Sequence, residues 1–120
     1  MESLRLKRRA LSGRTALSAF FVAVIVASAA VALAADPVRI SQKGQQFTPG
    51  EISLSKDEAI EIVNDDGDIL HHAYVESDAF NFDSGDQTPG SHTLVVFSVR
   101  GTFNVLCGIH PRMKLVVHVK

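Results

Sequence analysis

From residue 36 to the C terminus this chain cannot run far without meeting a turn-former. Lys43-Gly44, Thr48-Pro49-Gly50, the stretch 64–68, the stretch 83–90 and Arg100-Gly101 cut it into short apolar runs. Gly and Asn tolerate the left-handed backbone of tight turns, and Pro removes an amide donor, so each cluster stops an extended segment. Runs this brief, bounded by such residues, read as strands. We expect them at 38–41, 51–55, 59–64, 72–75, 92–99, 102–107 and 113–119. Lys56-Asp57-Glu58-Ala59, lying between two of them, reads as a tight turn. Breaks roughly every eight to twelve residues point to an all-β Greek-key sandwich or barrel of about seven to eight strands.

The first third of the chain has another character. Arg5, Lys7, Arg8, Arg9 and Arg14 make a positive start, residues 15–35 carry no charge, and Ala32-Leu33-Ala34 has the small-x-small form that signal peptidase requires. The segment 1–34 therefore reads as a secretory signal, leaving residues 35–120 as one domain in the periplasm or otherwise exported. An uncleaved membrane anchor is the alternative, since the apolar run approaches the length that spans a bilayer. Segment 1–34 holds five of the twelve Lys and Arg and one of the thirteen Asp and Glu. Residues 35–120 thus carry seven bases and twelve acids. That balance excludes nucleic acid as a partner and suits either a basic protein surface or plain solubility. A domain of this length has room for a single small core and is expected to be monomeric.

The one cysteine, Cys107, opens the run Cys107-Gly108-Ile109-His110-Pro111-Arg112-Met113. A lone thiol in an exported domain cannot form an internal disulfide and is open to oxidation unless it is buried or bound. Side-chain parity puts Phe103, Val105 and Cys107 on one face of their strand, and Met113 with Leu115, Val117 and Val119 on one face of the next. Both sulfurs thus face the interior from strand ends joined by a short loop. A buried thiolate is costly without a cation beside it. Thiolate, imidazole and thioether together are the ligand set of copper, with Cys and His in a plane and a weak axial Met. Structural zinc sites do not use Met.

A second imidazole is still required, and His71-His72 offers two. Alternation places His71 with Ala73 and Val75, which suit the interior, and His72 with Tyr74, whose hydroxyl needs water or a partner. His71 is the ligand by that reading. His72 is its alternative, or else a group whose ring or backbone ties the ligand loops together. His92 and His118 alternate outward and read as surface residues. Cys107 and His110 as a nucleophilic pair would need an orienting group, an oxyanion hole and a cleft. No nucleophile elbow or paired acids at useful spacing accompany them, so no enzyme is expected.

On these residues the chain from Phe47 to Lys120 resembles the cupredoxins, the small blue copper proteins of plastocyanin and amicyanin type. The pieces that carry the resemblance are Phe47-Thr48-Pro49 leading into Ile52, the strand 60–64, Phe82-Asp83-Ser84-Gly85 with Pro89-Gly90, Gly101-Thr102-Phe103, and the 107–113 loop. The spacing of two residues between His110 and Met113 is the short-loop form of amicyanin. The chain is also similar to small proteins labelled as methylamine-utilisation proteins. The resemblance implies one type 1 copper ion held by His71, Cys107, His110 and Met113. It implies an exported carrier of single electrons, meeting a transient redox partner such as a c-type cytochrome or a dehydrogenase. A membrane is involved only if the N-terminal segment stays uncleaved. Where the family commonly has Asn after its first His, this chain has His72, and its loop 64–71 is one residue longer. A copper carrier, sensor or store would use the same donors. The acids Asp65, Asp66, Asp68, Asp78, Asp83 and Asp86 flank the first ligand and are expected to form a negative rim that steers a basic partner.

Overall fold

The computed structural model describes residues 26–31 and 33–120. Every strand among the described residues lies within Ala32–Lys120. Most of the expected signal segment, residues 1–25 and 32, lies outside the described residues.

Nine strands succeed one another: β1 (Val38–Gln42), β2 (Phe47–Thr48), β3 (Glu51–Leu54), β4 (Ala59–Asn64), β5 (Ala73–Val75), β6 (Phe82–Asp83), β7 (His92–Val96), β8 (Gly101–Cys107) and β9 (Lys114–Val119). They form an all-β sandwich of a four-stranded sheet, ordered β2-β1-β4-β7, and a five-stranded sheet, ordered β3-β9-β8-β5-β6. The expected strands are all present, and β4 has the expected bounds. The two extra ones, β2 and β6, are only two residues long, too short to leave an alternating pattern in the sequence. β7 stops at Val96. Beyond it Phe97 exchanges backbone hydrogen bonds with the 57–58 turn, from Asp57 N at 2.8 Å and to Glu58 O at 2.9 Å.

Alternation explains how the sheets meet. Ile40, Ile60, Ile62, Val95, Phe103, Val105, Leu115 and Val117 face inward and are buried, while most of their strand neighbours are more exposed, Val63 being the exception at 3%. The two ends of the sandwich then differ in kind. Around the start of β8, Phe80, Phe97 and Phe103 pack with ring centroids 5.1–6.1 Å apart. Each such ring stabilises the fold by about 1.5–3 kcal/mol when fully buried. At the opposite end, where β4 and β8 finish, four polar side chains are buried beside Cys107 and Met113: Gln42, Asn64, His71 and Gln87. Buried polar groups are tolerated only when hydrogen-bonded, so that end must be organised by directed bonds rather than by packing.

Candidate metal centre

Cys107 is the last residue of β8 and is 3% exposed. Its register partner across the sheet is Ala73, so the β8–β5 pairing lays Cys107 beside the segment that carries His71. The chain then leaves the sheet in a turn in which Met113 N donates to His110 O at 3.0 Å. Pro111 occupies the second position of that turn, where its fixed φ is already right. His110 is thereby brought back over the strand end, half-buried, with its Nδ1 3.6 Å from Cys107 Sγ.

His71 comes from the other side. It lies outside β5, pairing only as an isolated bridge with Gln87, and its ring is completely buried. Its Nδ1 is 3.8 Å from Cys107 Sγ, and the two imidazoles stand 5.0 Å apart at 59°. The donor atoms of His71, Cys107 and His110 all lie within 4.8 Å of one another, the sole such group of His, Cys, Asp and Glu among the described residues. A single ion with bonds of about 2.0–2.3 Å to sulfur and nitrogen would hold S and N about 3.8 Å apart in a trigonal plane. The observed spacings fit one ion shared by all three, and one thiolate with two imidazoles suits copper.

The tautomer of His71 is set by its surroundings. Nε2 stands 2.7 Å from Asp66 Oδ2, so it carries the proton and donates it, leaving the Nδ1 lone pair toward the sulfur. The same bond, helped by the Gly44 N–H at 3.2 Å, holds the Asp66 carboxyl below the ordinary carboxylate range despite desolvation. Asp66 is kept in place by an Asx turn, its N–H donating to Asn64 Oδ1 at 3.0 Å. Asn64 in turn donates to the carbonyls of Ile69 at 2.8 Å and Gln87 at 2.9 Å, closing the 64–71 loop from inside.

His72 lies outside the three-residue group. Its carbonyl accepts the Gly108 N–H at 2.8 Å, a backbone tie between the two ligand segments. Its ring rests against Gly108 and bonds Asp83 Oδ1 at 2.6 Å, with Asp86 Oδ1 at 3.5 Å. Met113 is 1% exposed at the foot of the loop and belongs to the same buried cluster as Cys107. His92 and His118 are surface residues paired to Glu61 at 2.9 Å and Glu51 at 2.7 Å.

Three acids of the expected rim also serve local structure. Asp65 is bound by Ser41 and Arg39, Asp66 by His71, and Asp83 by the Gly85 N–H and His72, and each is held below its ordinary value by those bonds. Those bonds favour the charged form of each carboxyl, so the three remain negative beside the first ligand. Sequence reasoning also missed Asp66 and Gln87 as partners of His71. Their signal is faint, since Asn64-Asp65-Asp66 and Asp86-Gln87 look like ordinary loop residues.

No family model and no curated protein sequence matches the chain. Solved structures do. A copper-containing nitrite reductase from Thermus scotoductus SA-01 superposes with a TM-score of 0.67 at 26% identity over 74% of this chain, which spans only 23% of the reductase. A proline-to-glycine mutant of amicyanin in its reduced Cu(I) form superposes with a TM-score of 0.65 at 14% identity, covering 73% of this chain and 86% of amicyanin. A methionine-to-alanine mutant of amicyanin, also with Cu(I), gives 0.64 at 13% identity over the same shares of the two chains. The chain has the cupredoxin fold, and His71, Cys107 and His110 form a candidate type 1 copper site within it. The match thus spans most of amicyanin but less than a quarter of the reductase.

Proposed function

We propose that this protein is an exported single-electron carrier in which His71, Cys107, His110 and Met113 would hold one copper ion. The observation that carries the reading is the convergence of one thiol sulfur and two imidazole Nδ1 atoms at a buried strand end. Copper, when bound, supplies a one-electron couple. The chain's own residues do the rest. His71 and Cys107 are sealed from water, which favours retention of the ion. His110 is the one member of the group that is not fully buried, and it lines a surface cleft with Gln45, Ile109, Pro111 and Arg112. Ile109 at 41% and Leu70 at 37% exposed add apolar surface on the two ligand loops. Such a surface suits the small, transient contact of a redox encounter with a c-type cytochrome or a dehydrogenase.

Export rests on the 1–34 segment, and catalysis is not part of the proposal. Addition of Cu(II) to the purified protein should produce an intense visible band from sulfur-to-copper charge transfer. Reduction should bleach it and reoxidation restore it over many cycles without loss of metal. A protein that takes up Cu(I) but surrenders it to a competing chelator, and shows no such band, is a copper carrier or store instead. Nitrite turnover by the copper-loaded protein would overturn the non-enzymatic assignment.

A further inference from the structure

We infer that Gln87 is the residue that positions His71 and thereby fixes the shape of the metal centre, an inference that rests on the copper reading above. Gln87 is 2% exposed and makes six hydrogen bonds. Its backbone N–H donates to His71 O at 2.7 Å, and its carbonyl accepts from His71 N at 3.1 Å and from Asn64 Nδ2 at 2.9 Å. Its side-chain Oε1 accepts from Ala73 N at 3.1 Å and Gln42 Nε2 at 2.7 Å, while Nε2 donates to Thr93 Oγ1 at 2.9 Å. Ala73 belongs to the five-stranded sheet, Gln42 and Thr93 to the four-stranded one. The amide therefore joins the two sheets directly behind the ligand.

The need for such a residue follows from where His71 lies. No ladder holds it, and its backbone pairs with nothing but Gln87. Asp66 fixes the tip of the ring, and Gln87 fixes the main chain at residues 71 and 73. Held at both points, the imidazole would keep one position beside Cys107 whatever the charge of an ion bound there. The chemistry of the position selects Gln. One atom must accept two donors and the other must donate, a pattern that Glu meets only by burying a charge or a proton and Met not at all.

The test uses the protein expressed from its full sequence, with Cu(II) as the probe. Gln87→Met should weaken copper binding by about 10–100-fold and shift the charge-transfer band. In the metal-free protein it should speed amide hydrogen exchange at Ala73. Gln87→Glu keeps an acceptor for Ala73 and Gln42 and should fall between Gln87→Met and the unaltered protein. Leu115→Ala, a core truncation in β9, controls for lost stability and should leave band and affinity unchanged. Wild-type affinity and an unshifted band in Gln87→Met overturn the inference. Should Gln87→Met not fold, Thr93→Val removes the acceptor of Nε2, and an unchanged band and affinity there overturn it equally. Absence of any band in the unaltered protein sinks the copper reading itself, a result distinct from a normal band that ignores Gln87.

Discussion

Cys107 and His110 reach the site three residues apart on one loop, whereas His71 arrives from 36 residues before the cysteine, on a segment that belongs to no strand. The two halves are organised by different physics. On the loop side, chain connectivity and a Pro-containing turn bring the donors together, and His110 is left partly open to solvent. On the other side a buried imidazole is held by Asp66 at its ring and Gln87 at its backbone, with Asn64 closing the loop beneath. For the proposed electron carrier, that asymmetry would keep one side of the site rigid and leave the other reachable by a partner.

The asymmetry can be probed at several points. The largest effect should come from Cys107→Ser, which removes the sulfur common to both halves. The visible band should vanish outright, and a surviving band would place the chromophore elsewhere. Next comes a stability difference between the two imidazoles. Replacing the fully buried His71 by Ala should cost about 2–5 kcal/mol in metal-free denaturant unfolding, as large-to-small core changes do. Replacing half-buried His110 by Ala should cost about 1 kcal/mol or less. Equal costs would mean that the His71 side is no more tightly built than the loop.

A smaller effect is expected from Asp66→Asn, which keeps the shape but removes the charge that orients the His71 ring. Copper titration should show affinity reduced about 10–100-fold, the usual consequence of losing such a partner. Arg112→Ala, on the exposed loop, should leave affinity unchanged. The smallest effect belongs to Asp65, which lies beside the site but touches no ligand. Its carboxyl is held below the ordinary value of 3.8, chiefly by the Ser41 hydroxyl and further by Arg39. A carboxylate with a depressed native pKa contributes stability that is fully present above the unfolded value and is lost as pH falls through the native one. Melting temperatures of the protein and of Asp65→Asn should therefore differ slightly near neutrality and converge as pH drops below 3.8. High salt should shrink the neutral difference, since the Arg39 pair is exposed.

The loop half of the centre was legible in the sequence because its donors are contiguous and because strand parity is local. Cys107 following Phe103 and Val105 declares its direction without knowledge of the partner sheet. The same parity separated His71 from His72, since Ala73 and Val75 mark an inward face. Asp66 was not legible in its role, because nothing in an acid-rich loop says which carboxylate turns inward to a ring. Gln87 was hidden more deeply. Its partners Gln42, Asn64, Ala73 and Thr93 come from four separate strands, and only their packing makes one amide the meeting point.

The amino-acid order was enough to dictate an all-β chain with a thiolate, imidazole and thioether on its last loop, because turn chemistry and strand alternation act between near neighbours. Which acids are bound internally, how the second imidazole is oriented and what holds it were settled by tertiary contacts alone. Those outcomes depend on hydrogen bonds between residues distant in sequence, whose strength comes from the water-free space that two sheets enclose when they close.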